Sequence, residues 1–506
     1  MGYSRTKKAA KNIFYGSISQ VVTLLLNFVS RTIFIKTLGA EYLGINGLFS
    51  DVLSMLCMAD LGFNTAMVYS FYKPLAENNQ TMIATLITFY RKMYRIIALA
   101  ITVVGVAIIP FLGYLVNLNS DIPYLRFYYI FFLLNTVMSY LFVYKTSIIT
   151  ADQKHYIISK YQIVINIVKI ILQCILLIVT KDYFSYLVIL VICTFLNNYL
   201  ASKKASKMYP YIDDRNDELS QETKKEIFSN LKSVFIYKVS IVLINATDNT
   251  IISILIGTIY VGFYSNYLLV INAVTNMIKI FYNAITSSIG NVNAVEKPEQ
   301  KYSIFKQLSL INMILTPTIT VCVYTLMNNF INIWLGSDYI LKPEVLIIIV
   351  VNFYISIVQH PVWVHREAYG LFRQTKYVMF IAAIINIILS VALGMVWGMF
   401  GIFLASAISR VGTYFIYEPI VLLKQYMNKE PYSYYVSILV NAFITTVLCM
   451  GVTFFAQGIV IDSWIKLIIK ACIIFCGCLL ITIVIYHKDN SMKEVRWKIL
   501  NLLHVK

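Results

Sequence analysis

Apolar segments of about 20 residues follow one another along nearly the whole chain, separated by short polar connections. A helix of that length crosses the ~30 Å hydrocarbon core of a bilayer. Neither two-residue alternation nor a soluble block of domain size interrupts the pattern. The sequence therefore predicts an all-α polytopic membrane protein with about fourteen transmembrane helices. The predicted spans are 12–36, 44–71, 87–110, 124–149, 158–180, 184–203, 233–256, 260–288, 306–330, 343–364, 377–397, 400–422, 433–456 and 464–486.

Polar positions inside the first span recur every three or four residues. Gln20, Thr23, Asn27 and Arg31 therefore share one face of the predicted helix. Polar side chains are costly in contact with lipid, so we expect this polar face to border other helices or a water-filled space.

The same pattern recurs 218 positions further along, where 238–262 aligns with 20–44. Eight of the 25 aligned pairs are identical. The identical pairs include Asn27/Asn245, Thr32/Thr250, Gly39/Gly257, Tyr42/Tyr260 and Gly44/Gly262. The matched polar stripe and turn indicate a duplicated helical unit, an internal symmetry typical of transporters.

Four further spans carry polar stripes. Gln162, Asn166, Lys169 and Gln173 share one helical face, and so do Asn272, Asn276, Lys279 and Asn283. A third stripe, on the twelfth span, contains Ser406, Arg410, Thr413 and Tyr417. A fourth, on the second span, contains Asp60 and Asn64, and the seventh span carries Asp248. The predicted cavity residues are Arg31, Lys169, Lys238, Lys279 and Arg410 together with Asn27, Asn245 and Gln173.

The predicted cavity is electropositive, because its cations outnumber the carboxylates Asp60 and Asp248. Such a cavity suits an anionic cargo, and the planar fork of an arginine can bind two phosphate oxygens. Asp60 and Asp248 are candidates for ion coupling. Each of these residues also has an alternative, purely structural role. Lys238 would extend its ammonium group to the membrane surface, Arg31 would pair with Asp60, and Asp248 would neutralise a nearby cation. A polar stripe can also join helices directly.

Hydrophobic residues make up 59% and charged residues 13% of the chain, well below the roughly 25% charged of a soluble domain. The net charge of +18 reflects basic cytoplasmic loops, and no nucleic-acid partner is predicted. Basic residues concentrate at both termini and in the even-numbered connections, whereas the odd ones carry Lys36, Lys181 and Lys342. This bias predicts a multi-pass plasma-membrane protein with both termini in the cytoplasm.

No cofactor is predicted. The eight cysteines fall inside apolar segments as buried thiols, and the five histidines show no metal spacing. No Walker motif is present, so transport would draw on a Na⁺ or H⁺ gradient or on consumption of the product.

The stretch 38–62 and FYKPLAENN at 71–79 are followed in order by five shorter patches, at 248–274, 287–291, 330–336, 366–377 and 409–419. In these stretches the chain resembles the polysaccharide flippases of the Wzx type, within the multidrug/oligosaccharidyl-lipid/polysaccharide exporter superfamily. Arg31 is the one residue matched to a basic position of the family's first cavity helix.

The resemblance implies two pseudo-symmetric six-helix lobes facing a central cavity, plus two further helices. The implied boundaries are 1–203, a cytoplasmic linker 204–232 with an amphipathic helix, 233–430, and 431–506 with a basic amphipathic tail. In the related lipid II flippases the last two helices form a groove for the lipid tail.

The implied activity is export across the bacterial inner membrane of an undecaprenyl-pyrophosphate-linked oligosaccharide, for exopolysaccharide, capsule or O-antigen-type polymers. Membrane lipids, a polysaccharide polymerase and chain-length machinery are the implied partners. Two alternatives remain: a multidrug or cation exporter of the same superfamily, or a membrane enzyme of polysaccharide assembly. His360 and His365 lie at one end of a span without a matching nucleophile, which counts against an enzyme.

Overall fold

The protein is helical throughout the residues that its structure, a computed structural model, describes. The described residues are 2–60, 63–118, 122–213, 218–295, 297–456, 461–489 and 491–494. The α-helices are α1 (Gly2–Leu38), α2 (Ala40–Leu56), α3 (Phe63–Ala76), α4 (Gln80–Ile108), α5 (Leu112–Leu115), α6 (Leu125–Tyr140), α7 (Val143–Ala151), α8 (Tyr156–Thr180), α9 (Tyr183–Met208), α10 (Gln221–Leu255), α11 (Thr258–Val295), α12 (Pro298–Leu335), α13 (Pro343–Val358), α14 (His360–Tyr369), α15 (Phe372–Val411), α16 (Tyr414–Ile420), α17 (Tyr432–Ala456) and α18 (Trp464–Tyr486). Short 3₁₀ turns occupy Cys57–Asp60, Ile109–Phe111, Pro210–Asp213 and Ser337–Tyr339, and a π-helical turn occupies Val421–Tyr426.

Within the described residues, nine helical segments are long and apolar enough to cross a membrane. Two bent pairs, α6 with α7 and α13 with α14, raise the number to eleven. The all-α polytopic class predicted from the sequence is therefore confirmed. The predicted number of fourteen spans stays a prediction.

The chain divides into two compact units, residues 1–262 and 263–506. In the first unit α8 packs against α1 and α9, while α10 packs against α2. The helix α10 begins inside the predicted linker 204–232 and runs to Leu255 within the first unit. The lobes implied by the sequence resemblance stay a prediction.

The internal repeat is visible in the first unit as a matched pair of close helix contacts. Gly39 precedes α2 and Gly257 precedes α11, and both have positive φ, at +86° and +140°. A Cβ added at Gly44 would lie 2.0 Å from the carbonyl oxygen of Thr258. A Cβ at Gly262 would lie 2.3 Å from the carbonyl oxygen of Ala40. Since 258 and 262 are 40 and 44 plus 218, the two contacts are related by the repeat.

The second unit is built around α12, which packs against α13, α17 and α18. Its helix α15 reverses direction at Gly398, where φ is 59° and ψ is −138°. Across the reversal, Nδ2 of Asn386 donates to Oγ of Ser406 at 2.9 Å. This break agrees with the predicted separation of the spans 377–397 and 400–422.

The two predicted amphipathic surface segments have different outcomes. The stripe predicted within 204–232 forms the start of α10, which continues into the following apolar segment without interruption. In the tail, Ser491–Glu494 is described, and Oε2 of Glu494 accepts a 3.1 Å hydrogen bond from Ser303 of α12. The rest of the predicted tail helix, 495–506, lies outside the described residues.

Candidate substrate site

The polar stripe of α1 lies on a partly open face of the helix. Gln20 and Asn27 are exposed, and Thr23 and Arg31 are half-buried. Arg31 lies beside the phenol of Tyr186 on α9. The guanidinium group is thus held where α1 meets α9.

The polar stripe of α8 faces away from the apolar surface of that helix. Val164, Val168 and Ile175 are exposed, whereas Lys169 is half-buried and Gln173 is buried. This separation is what a helix with one lipid-facing side and one protein-facing side requires.

The predicted residues of α1 and α8 meet the same helix, α9. Nε2 of Gln173 donates to the carbonyl oxygen of Tyr186 at 3.1 Å, the residue that Arg31 also approaches. Lys169 lies near Cys193, seven residues or roughly 10 Å further along α9. Asn27, Arg31, Lys169 and Gln173 therefore form one basic and amide-bearing region of the first unit.

Of the site residues predicted on α10, the structure describes the side chains of Lys238 and Asp248. Lys238 is half-buried and Asp248 is buried. Both have interaction partners. The side chain of Asn245 lies outside what the structure describes, and so does that of Asp60 in the turn Cys57–Asp60.

Sequence reasoning missed Asp51 of α2. Its Oδ2 accepts a 2.6 Å hydrogen bond from Nδ2 of the buried Asn249 on α10. Asn249 is the residue that the repeat aligns with Arg31, so the sequence repeat singles out the Asn249 member of this pair. Nothing in the local sequence around Asp51 indicates that it pairs with Asn249, because the two residues are 198 positions apart.

In the second unit, the stripe on α11 forms an open polar face. Asn272, Asn276 and Lys279 are all exposed and follow one another at helical spacing. Lys279 lies close to His360 of α14. The side chain of Asn283, the last member of the predicted stripe, is not among those the structure describes.

The stripe predicted around Arg410 does not form a single face, because α15 ends at Val411. Ser406 is buried and bonded to Asn386, and Thr413 donates to the carbonyl oxygen of Ser409. Arg410 is half-buried near Tyr414, and its Nε has no hydrogen-bond partner among the described residues.

Arg366 forms a buried ion pair in the second unit. Nη1 of Arg366 lies 2.6 Å from Oε1 of Glu418, and both side chains are at most 5% exposed. The neighbouring His360 and His365 are bonded through Nδ1 to the carbonyl oxygens of Ser356 and Pro361. These groups stabilise the packing of α14.

The predicted description of the cysteines is partly wrong. All eight are free thiols. Cys472 and Cys476 of α18 are exposed rather than buried, because they lie on the outer surface of the last apolar helix.

Long apolar helices with basic, polar faces in each unit define a polytopic membrane protein. Solved structures of similar fold agree: "Lipid II flippase MurJ, inward closed conformation" matches with a TM-score of 0.69 at 14% identity. That match covers 94% of this chain and 99% of the flippase. A multidrug resistance MATE family transporter in an inward-facing conformation gives 0.57 at 13% identity, covering 78% and 93% of the two chains.

A third structure of similar fold is a MOP superfamily transporter from Pyrococcus furiosus, described as having a binding pocket of reverse polarity. It matches with a TM-score of 0.56 at 12% identity, and the match covers 84% of this chain and 97% of that one. At these identities the likeness shows the fold. Comparison with curated proteins finds no significant match.

The sequence itself identifies the family. The family model for polysaccharide biosynthesis proteins matches residues 9–289, more than half of the chain. The protein belongs to this family.

Proposed function

We propose that this protein is a flippase that moves undecaprenyl-pyrophosphate-linked oligosaccharide repeat units from the inner to the outer leaflet by alternating access. Membership of the polysaccharide biosynthesis family supports the pathway. The likeness in fold to a lipid II flippase supports the type of transport. The product would feed a polymerase and chain-length machinery that build an exopolysaccharide, capsule or O-antigen-type polymer.

The observation that carries the proposal is the basic character of the polar helix faces. Arg31 and Lys169 lie on such faces in the first unit, and Lys279 lies on one in the second. Arg410 adds a half-buried cation at the end of α15. A cation inside a membrane helix costs roughly 2.5–3.5 kcal/mol even on the lenient insertion scale. Binding a pyrophosphate offsets that cost, because charge-assisted hydrogen bonds to phosphate oxygens are among the strongest available.

Net outward movement needs an asymmetry between the two leaflets. Consumption of the product outside supplies one, and a Na⁺ or H⁺ gradient supplies another. Asp248 of α10 and Asp51 of α2 are candidate carboxylates for such coupling, and Asp60 remains a candidate from the sequence.

The test is a reconstituted translocation assay with the lipid-linked oligosaccharide in vesicles. We expect the double variant Arg31→Ala with Arg410→Ala to abolish translocation, because one pyrophosphate-binding cation is lost from each unit. The matched control is Arg126→Ala with Arg373→Ala, which also removes one arginine from each unit. Both control side chains are exposed. Wild-type rates in the first variant, or equal losses in both, would contradict the assignment.

The export pathway is tested by deleting the gene. Loss of the flippase would leave lipid-linked repeat units inside the cell and no surface polymer. An enzyme of assembly, the second alternative, would instead change polymer length or linkage while translocation continued.

A cation or drug exporter is less well supported. Such a cargo favours carboxylates and aromatic rings. The described polar faces carry more basic than acidic groups. Growth in toxic organic cations should therefore not depend on this protein.

A further inference from the structure

The open face of α2 is polar rather than apolar. All 17 residues of this helix are described, and Ser50 is the only one of them that is exposed. Asn46 and Ser54, one turn to either side of Ser50, are half-buried, whereas Leu48 and Phe49 between them are buried. Residues four positions apart are neighbours on a helix surface, so Asn46, Ser50 and Ser54 form one row, called the α2 row below.

The α2 row does not face lipid. A helix that borders lipid exposes large apolar side chains, as α8 does at Val164, Val168 and Ile175. Over the whole length of α2, which is fully described, none of the large apolar side chains is exposed. Amide and hydroxyl groups in contact with hydrocarbon would lose their hydrogen bonds to water without replacement. The α2 row therefore borders a polar space.

One end of the α2 row lies close to Arg31, the cation proposed above to bind the pyrophosphate. Asn46 lies beside the phenol hydroxyl of Tyr186 on α9, and Ser30 and Arg31 of α1 lie beside the same phenol. From Asn46 to Ser54 is eight residues, or about 12 Å along the helix axis. The row thus extends from a place shared with a guanidinium group toward the end of α2.

The side chains of the α2 row can both donate and accept hydrogen bonds. Oγ of Ser50 donates to the carbonyl oxygen of Asn46 at 2.7 Å, a bond within the helix that leaves the lone pairs of Oγ for an outside donor. The amide of Asn46 offers a donor group and an acceptor oxygen. A sugar hydroxyl likewise donates one hydrogen and accepts through two lone pairs, so it is a matching partner for this row.

An aromatic ring continues the row at its Arg31 end. Tyr42, four residues before Asn46, is half-buried, and its ring packs edge-on against the ring of Tyr183 with centroids 5.2 Å apart. A tyrosine side chain combines an apolar ring with a polar tip. Such a ring suits a sugar, whose ring carbons are apolar while its hydroxyl groups are polar.

The α2 row carries no charge of its own. The two carboxylates of α2 lie outside the row, and both have partners: Asp51 accepts a hydrogen bond from Asn249, and Glu41 has an interaction partner as well. An uncharged row of amide and hydroxyl groups beside an arginine matches a ligand in which a phosphate group is followed by neutral, hydroxyl-bearing groups.

We propose that the α2 row binds hydroxyl groups of the sugar next to the pyrophosphate, while Arg31 binds the pyrophosphate itself. This inference rests on the proposed flippase function and adds to it a site that recognises the sugar. Ser50 is the specificity-determining residue of the row, because its hydroxyl group is the most open of the three.

The experiment is native mass spectrometry of the purified full-length chain, titrated with undecaprenyl pyrophosphate or with the same lipid carrying one glucose. We expect the glucose-bearing lipid to bind wild type more tightly. Ser50→Ala should weaken its binding about fivefold, the loss expected for one neutral hydrogen bond, and adding Ser54→Ala should weaken it further. Binding of undecaprenyl pyrophosphate should stay unchanged in both variants, which also shows that they are folded. Ser50→Thr keeps the hydroxyl group and should retain the wild-type affinities.

Ser437→Ala is the matched control. Ser437 of α17 is also an exposed helical serine, and its Oγ also donates to a carbonyl oxygen four residues earlier, that of Ser433, at 2.8 Å. The control therefore removes the same bond within a helix, but in the other unit. It should leave the affinity for both lipids unchanged.

Arg31→Ala separates this inference from the proposed function. It should weaken both lipids, because both carry the pyrophosphate. If Arg31→Ala does so but wild type binds the two lipids equally, the sugar site is refuted and the flippase proposal stands. An unchanged affinity of Ser50→Ala for the glucose-bearing lipid would also refute the sugar site, and so would an equal loss for both lipids. Wild type that binds neither lipid would contradict both proposals.

Discussion

Asp213 shows how one side chain secures a connection between membrane helices. It ends the 3₁₀ turn Pro210–Asp213, and its Oδ1 accepts a hydrogen bond from Nζ of Lys145 on α7. Nη2 of Arg91 on α4 lies 4.0 Å from the same oxygen. Burial raises the pKa of Asp213, but hydrogen bonds from Lys145 and Ser206 and the charge of Arg91 lower that pKa more, so the net shift is downward.

A lowered pKa means that the folded state prefers the charged carboxylate. The resulting stability is present above the pKa of the unfolded chain and is lost as the pH falls through the folded-state pKa. Asp213→Asn should lower the free energy of unfolding at pH 7 by about 1 kcal/mol, a modest value because the carboxylate is 43% exposed. The difference from wild type should shrink as the pH falls below 3.8, the ordinary pKa of an aspartate, and should vanish below the folded-state pKa, as measured by thermal unfolding in detergent.

The control for Asp213 is Glu77→Gln. Glu77 lies 4.0 Å from Lys73, and the two side chains are 55% and 84% exposed, so this pair should contribute little at any pH. A loss of stability in Asp213→Asn that persists unchanged at pH 3 would show that the carboxylate charge is not the cause.

At the same scale, the sequence predicted residue types better than their partners. Arg31 and Gln173 were singled out by spacing, and the structure brings both to Tyr186. Nothing in the sequence around Arg366 identifies Glu418, 52 positions away, as its buried partner. Periodicity reports which face a residue occupies, whereas an ion pair depends on which distant helix that face meets.

At the scale of helices, the repeat makes a prediction about packing. The α2 and α11 backbones approach so closely that Gly44 and Gly262 leave no room for a Cβ beside Thr258 and Ala40. Gly44→Ala should therefore force the helices apart and lower stability by about 1–3 kcal/mol, the usual cost of overpacking. Thermal unfolding would measure the loss, and Gly262→Ala should reproduce it because the repeat relates the two contacts.

The matched control is Gly451→Ala in α17, where a Cβ meets nothing within 4 Å. Alanine there should be neutral or stabilise the helix by roughly 0.5–1 kcal/mol. If Gly44→Ala behaves like Gly451→Ala, the close crossing of α2 and α11 is not maintained in the membrane.

Helix boundaries were predictable where the chain itself carries the signal. Glycines with positive φ end or break helices at Gly39, Gly257 and Gly398, as their positions in the sequence indicated. The bends between α6 and α7 and between α13 and α14, of 47° and 43°, were not predicted. Apolar composition continues across these bends, so hydropathy predicts one span and does not indicate that the helix axis changes direction.

At the scale of the molecule, the class of protein followed from the sequence and the cargo did not. A long series of apolar segments leaves few alternatives to a helical membrane protein, since each backbone polar group must be satisfied within the bilayer. The identity of a cargo depends on side chains gathered from several helices. The side chains of Asn245 and Asp60 are not among those that the structure describes. The proposed roles of the remaining site residues are tested by the translocation assay.

The orientation of the whole chain is the remaining global prediction. Basic residues concentrate in alternate connections, which places Lys181 and Lys342 outside and Lys73 and Lys429 inside. Each of these lysines is exposed, and each unit supplies one of either kind. The charge bias is strong enough that we expect one orientation in the membrane.

Single-cysteine variants test this orientation in a background from which the eight native cysteines have been removed. An impermeant maleimide should label Lys181→Cys and Lys342→Cys in intact cells, because both positions face the outside. It should label Lys73→Cys and Lys429→Cys after the membrane is permeabilised and not before. The reverse pattern would invert the topology and place both termini outside the cell. Labelling of all four positions in intact cells would mean that the charge bias does not fix a single orientation.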